Sequence, residues 1–220
     1  MSEIELIAVA VEEIENPTFG VVEQFLEAHE VAYKDGKPEV AGIKIDEAEN
    51  SATIYFSVKD EHFHFAVYLD TEPKVQVKFA DTEDFCQVYF SAYSEELSLQ
   101  ELSSLTTLQP TESYDEGDKL AFKMAAAGSS ITFQPNSEPD TFSNKLKKLL
   151  DLLEQDGNGI IKLVSEARGG IAVHTIFHNG NNMLGGFHLD KSDIQRLAAL
   201  NLEVDFDLYA NGNLFKDSTD

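Results

Sequence analysis

The chain has 220 residues, with 40 Asp and Glu against 16 Lys and Arg, a formal charge of −24, one cysteine and no tryptophan. That length and a 42% hydrophobic content suffice for one or two packed domains. No apolar run approaches the ~18 residues of a membrane span. The strong negative charge argues against nucleic acid or an anionic membrane as a partner. The first residues, Met1-Ser2-Glu3-Ile4-Glu5, lack a signal-peptide layout, so the expected location is the cytoplasm. A lone Cys86 excludes an internal disulfide, and no Cys/His array is spaced for structural zinc.

Residues 1–84 carry 20 acidic and 6 basic side chains, and residues 85–220 carry 20 and 10. The acidic stretch Asp81-Thr82-Glu83-Asp84 between two strand-like runs sets a boundary, giving domains at 1–84 and 85–220. In the first, Ile4 to Val11 reads as an apolar strand. Asn16-Pro17-Thr18 then opens a helix with Phe19, Val22, Phe25, Leu26 and His29 on one face. Beyond Pro38 the period changes to two, through Ile43 and Ile45, Ile54 to Val58, Phe63 to Leu69 and Val75 to Phe79. This pattern predicts an antiparallel meander with one wet face. The first domain is therefore expected to be a helix on an antiparallel sheet.

In the second, Phe85 to Tyr93 reads as a strand. Ser98-Leu99-Gln100-Glu101 has the form of a capping box, in which hydroxyl and carboxylate satisfy free N–H groups at a helix start. Strands are predicted at Lys119 to Met124 and Ser130 to Gln134. Phe142, Leu146, Leu149, Leu150 and Leu153 mark an amphipathic helix, stopped at Asp156-Gly157-Asn158-Gly159. Strands at Ile160 to Ser165, Ile171 to His178 and Gly186 to Leu189 follow, then a helix capped by Asp190 and a closing strand from Leu202 to Tyr209. The whole reads as α+β: the helix-on-sheet domain, then a mixed domain with about three helices on one sheet.

The second domain resembles the bacterial domain of unknown function 4279 family over residues 85–209. The likeness rests on the opening strand and short helix, on Leu105-Thr106-Thr107-Leu108-Gln109-Pro110-Thr111, on Gly117-Asp118, and on Leu189, Ile194, Leu197 and Leu200 leading to Val204-Asp205-Phe206-Asp207-Leu208-Tyr209. Family members often carry a tryptophan after the Gly-Asp, where this chain has Ala121-Phe122-Lys123. The resemblance implies a fold and a bacterial origin and supplies no catalytic residues. Residues 1–84 lie outside it.

No nucleophile elbow, Walker loop or dinucleotide fingerprint occurs, so no catalytic residue and no cofactor is assigned. Gly157-Asn158-Gly159, Gly169-Gly170 and Gly185-Gly186 read as turns that need positive φ. Cys86 sits within a strand pattern as a small apolar residue. His62 and His64 fall on one strand face, and His174, His178 and His188 lie near a hairpin; with no motif beside them, no metal site is assigned. Lys145, Lys147 and Lys148 read as the wet face of their helix.

The acidic groups say more. Glu203, Asp205 and Asp207 alternate with apolar residues, which places three carboxylates on one strand face about 6.8 Å apart. Glu112, Asp115, Glu116 and Asp118 form a second group in a loop, and Glu12, Glu13 and Glu15 a third before the first helix. With Tyr114 and Tyr209 as aromatic anchors, the first two groups are the expected partner-binding surface. The expected function is a non-catalytic bacterial protein-binding protein, most concretely an immunity protein that neutralises a basic toxin by charge-complementary docking. The alternatives are a small-molecule or metal-binding enzymatic module with a site in an interdomain cleft, and an acidic nucleic-acid mimic.

Overall fold

The computed structural model describes residues 2–120, 124–180 and 186–215. The chain divides into two units, and neither follows the sequence without interruption. The first comprises Met1–Phe85, Thr175–Gly185 and Leu208–Asp220, and the second Cys86–His174 and Gly186–Asp207.

The first unit opens with helix α1 (Glu3–Glu15) where the apolar run predicted a strand. Leu6, Ala10 and Ile14 are buried at a spacing of four, the helical period. The Ser2 hydroxyl accepts from the Glu5 N–H at 3.3 Å, and Glu3 and Glu5 lie in the first turn, where carboxylates favour the helix dipole. A continuous apolar run has no period of its own, and here the cap and the length decide.

Helix α2 (Gly20–Ala28) follows with Val22 and Phe25 buried. Phe19 at its N-cap has no side-chain oxygen to offer. Glu13, only 4% exposed, takes that part from the end of α1. Its carboxylate accepts from the Thr18 N–H (2.7 Å), the Thr18 hydroxyl (2.6 Å) and the Phe19 N–H (3.0 Å). A residue grouped by sequence with Glu12 and Glu15 as an acidic cluster before the first helix is thus a buried cap.

After a short ribbon, β1 (Tyr33–Lys34) and β2 (Lys37–Pro38), come β3 (Val40–Asp46), β4 (Ser51–Ser57), β5 (His64–Asp70) and β6 (Gln76–Glu83). They form the predicted antiparallel meander in the order β3-β4-β5-β6. The register sets Phe56 against Phe65 and Ile54 against Val67, and these side chains pack with Leu6, Ala10, Val22 and Phe25 in one core. Phe25 stacks on Phe65 at 4.0 Å between ring centroids. Each such buried side chain contributes about 1.5–3 kcal/mol. Asp81, Thr82 and Glu83 belong to β6, so Asp84 alone separates it from the next strand, a shorter junction than the acidic stretch suggested.

The second unit is built on β7 (Phe85–Ser94), whose alternate residues Cys86, Val88, Phe90 and Ala92 are buried. It pairs with β9 (Ser129–Phe133), which also pairs with β8 (Glu112–Tyr114). With β10 (Arg168–His178) and β11 (Val204–Asn211), the sheet order is β11-β10-β7-β9-β8. Helix α3 (Leu99–Ser104) has both arms of the predicted capping box between Ser98 and Glu101. Helix α4 (Phe142–Leu153) buries the whole stripe of Phe142, Leu146, Leu149, Leu150 and Leu153.

Two strands predicted in the second unit are not strands. Residues 160–165 lie in helix α5 (Gly157–Glu166), which buries Ile160 and Leu163 one turn apart. The stop predicted at Asp156 to Gly159 is a start, because the Asp156 carboxylate accepts from the Gly159 N–H at 3.1 Å and caps α5. A Cβ on Gly159 would lie 2.3 Å from that carboxylate and 2.9 Å from the Leu105 carbonyl, so glycine serves close approach there rather than a positive φ. Residues 186–189 have no regular structure, and Phe187 instead packs on Phe142 and Phe206 with centroids at 4.9 and 5.1 Å. The strand predicted at 119–124 falls partly on residues 121–123, outside the described residues; Lys119 and Ala125 form a single antiparallel bridge. Helix α6 (Lys191–Ala199) has the expected Asp190 cap.

Candidate functional site

The acidic row predicted for the last strand lies on a sheet edge, since β11 is the outermost strand. From Asp205 to Asn211 every residue is exposed. Phe206 is 39% exposed, Leu208 55% and Tyr209 52%, although strand alternation would have buried one face. Phe206 is held by stacking on Phe187. Glu203 precedes the strand and is fixed through its carbonyl, which accepts from the Ile171 N–H at 3.0 Å. Among the described residues no lysine or arginine forms an ion pair with Glu203, Asp205 or Asp207. Burial, with the charge of Asp207 added, raises the pKa of Tyr89. Beside the row, a groove of about 670 Å³ is lined by Arg168, Gly170, Asn201, Glu203 and Asp205.

The second acidic group lies at the opposite edge. Glu112 is on β8, four strand positions from β11, or about 19 Å at ~4.8 Å per strand. Its members differ in role. Asp115 accepts from the Ser129 hydroxyl (2.6 Å) and the Leu99 N–H (3.1 Å), and the Ser129 bond holds its pKa below the ordinary carboxylate value. Asp118 accepts from the Asp115 N–H at 2.8 Å and closes the turn. Glu112 and Glu116 are exposed, while Tyr114 is half-buried. The acidic surface predicted from sequence is therefore two separate edges, and among the described residues the β11 row is both regular and free of ion pairs.

The histidines are arranged otherwise than the sequence spacing suggested. His178 ends β10 and meets His29 at the C-cap of α2, with the two Nε2 atoms 3.0 Å apart. The pairing crosses 149 residues of sequence, and no local pattern marks it. Burial lowers the His178 pKa, opposed by its hydrogen bond to the Asn213 carbonyl. His64 begins β5 and His62 lies outside the strand, yet both rings approach Phe85, with centroids at 6.2 and 5.9 Å. Among the described residues no three His, Cys, Asp or Glu side chains gather as a metal cluster.

Other sequence readings change with burial. Lys145 is only 2% exposed, not on the wet face, and its ammonium donates to the Glu138 carbonyl at 2.7 Å and the Asn136 carbonyl at 3.3 Å. Desolvation lowers its pKa, and the buried Cys86 opposes that shift. Lys147 and Lys148 do face solvent, near Asp190 and Asp140. Gly157, Gly159, Gly169 and Gly170 all lie in helix or strand without positive φ; among described glycines that conformation belongs to Gly36, Gly117 and Gly212.

Fold and site together define a mixed α+β protein with an exposed acidic sheet edge and a buried histidine pair. A family model described as Domain of unknown function (DUF4279) matches residues 84–211, more than half of the chain, and the protein belongs to that family. No curated protein and no solved structure matches it. No helix among the described residues is long and apolar enough to cross a membrane.

Proposed function

We propose that this is a non-catalytic bacterial protein-binding protein of the cytoplasm, most concretely an immunity protein that docks on a basic toxin and covers its working surface. The observation that supports this is the β11 edge. It is eight residues long, continues the carboxylate of Glu203 just before it with those of Asp205 and Asp207, all three free of ion pairs among the described residues, and exposes Phe206, Leu208 and Tyr209. Complementary charge speeds encounter and fixes register, while aromatic and aliphatic contacts supply most of the affinity. A second copy of the chain is a poor partner for this edge, because it would set carboxylate against carboxylate across the new pair. A segment with lysine or arginine at alternate positions fits both the spacing and the sign.

The test is co-purification with the products of neighbouring genes, followed by titration of the purified pair. A basic partner whose affinity falls at least tenfold between 50 and 300 mM salt, and falls similarly in Asp205→Asn/Asp207→Asn, supports the reading. Partners that are neutral or acidic, or binding indifferent to salt and to the double substitution, overturn it.

A further inference from the structure

Three electron-pair donors meet within the first unit. His29 Nε2 lies 3.0 Å from His178 Nε2, His178 Nε2 lies 2.8 Å from the Asn213 carbonyl oxygen, and that oxygen lies 3.2 Å from His29 Nε2. The triangle is held from several sides. His29 is fixed by its N–H donating to the Phe25 carbonyl at 2.8 Å and by the Phe25 and Phe63 rings, each at 5.4 Å. His178 packs on Phe63 and Phe215 at 4.9 and 4.7 Å. Asn213 is tied by its side-chain N–H to the Ala28 carbonyl at 3.0 Å. It follows Gly212 at φ +89°, where a Cβ would strike Phe63 and His29 within 3.0 Å.

Hydrogen bonding alone serves this triangle poorly. The carbonyl has no proton, and a neutral imidazole has one. If both rings carry it on Nδ1, three lone pairs face one another. If both carry it on Nε2, two protons collide. If one Nε2–H is shared, the other ring and the carbonyl divide a single donor. His178 Nδ1 is buried without a hydrogen-bond partner in a residue only 2% exposed, and a cation on Nε2 leaves the proton at that nitrogen without an acceptor.

A cation answers all three lone pairs at once. Donors 2.0–2.1 Å from a tetrahedral ion stand about 3.3 Å apart, within a few tenths of an ångström of the observed edges. Two imidazoles favour zinc, copper or nickel over magnesium or calcium, which prefer all-oxygen shells. A groove of about 370 Å³ reaches His29 and Asn213 past Asp60, Glu61 and the Glu30–Lys59 ion pair, giving a net acidic entry and room for a water ligand. We propose that His29, His178 and the Asn213 carbonyl bind one divalent transition-metal ion, zinc above all, with water completing the shell. Residue spacing offers no grounds for this site, because one ligand is a backbone atom and the two histidines are remote in the chain.

The test uses the full chain after chelator treatment, titrated with zinc chloride and, separately, with magnesium chloride by calorimetry. One zinc per chain with micromolar affinity is expected, at least tenfold weaker in His29→Gln and in His178→Gln, unchanged in His188→Gln, with no magnesium binding. In parallel, the ¹⁵N resonances of His29 and His178 in the wild-type chain are followed; both must move on zinc addition, which decides the matter even where a glutamine variant does not fold. Absence of zinc binding at 100 µM, equal binding in the His29 and His178 variants, or imidazole resonances that stay in place while zinc binds would falsify the site.

Discussion

Glu13→Ala is the sharpest probe of the first unit. The substitution removes an acceptor for two backbone N–H groups and a hydroxyl at the start of α2. A hydrogen bond to a charged group contributes about 1.5–3 kcal/mol, and a buried donor left alone costs about 1–3 kcal/mol. Thr18 is itself exposed, so water recovers part of the loss, and the expected total is about 2–3 kcal/mol. Glu13→Gln keeps a carbonyl for the backbone donors and should cost about 1 kcal/mol. The assay is urea unfolding at pH 7 followed by far-ultraviolet circular dichroism, with Glu15→Ala, an exposed neighbour, as control. The midpoint should fall at nearly constant slope for Glu13→Ala and stay within about 0.5 kcal/mol of wild type for the control. Equal midpoints for the two alanine variants would show that α2 does not depend on a cap borrowed from α1.

Glu83 and Asp156 should impose pH dependences of opposite sign. Burial, with the Asp84 charge added, lifts Glu83 from 4.5 to about 7, so the folded protein holds a proton that the unfolded chain has released between those values. Stability should fall as pH rises through that window, and Glu83→Gln should be more stable than wild type at pH 8 by about 1–2 kcal/mol but near neutral at pH 5, measured by thermal melts. Asp156 is held down at about 2, first by the Thr107 N–H, so its contribution is complete above about 4 and is lost as pH falls toward 2. Asp156→Asn should lose about half as much at pH 3 as at pH 7; an equal loss at both would refute the assignment. Leu208→Lys on the β11 edge should leave the melting temperature within about 2 °C of wild type, as expected for an exposed residue, while weakening a basic partner.

How much of this was legible depended on whether the deciding contact was local. The meander was readable because alternation in Ile54 to Val58 and Phe63 to Leu69 records one buried face directly. The capping box at Ser98 and the N-cap at Asp190 rest on contacts within three residues and are readable for the same reason. The run Ile4 to Val11 was not, because mostly apolar residues suit helix and strand equally until Ser2 and the length decide. Asp156-Gly157-Asn158-Gly159 was misread since glycine beside an aspartate suits a helix end as well as a start; the bonds from Thr106 and Thr107, some fifty residues away, choose the start. The site divides likewise. The acidic row is a strand pattern and was visible, whereas its isolation from Glu112 to Asp118 follows from sheet order, and the His29–His178 pair from a contact no spacing rule reaches.

The interrupted make-up of the first unit bears on synthesis as well as on structure. His178 and Asn213, which flank His29, come from the far end of the chain, within and just beyond the stretch that the family model matches. During translation, α1, α2 and the meander emerge before the second unit but lack these partners until residues 178 and 213 have been made. A fragment ending at residue 84 should accordingly melt with less cooperativity than the same residues in the intact chain, and adding the remainder as a separate piece should restore it in part. The first unit thus begins to emerge before the second but is completed after it.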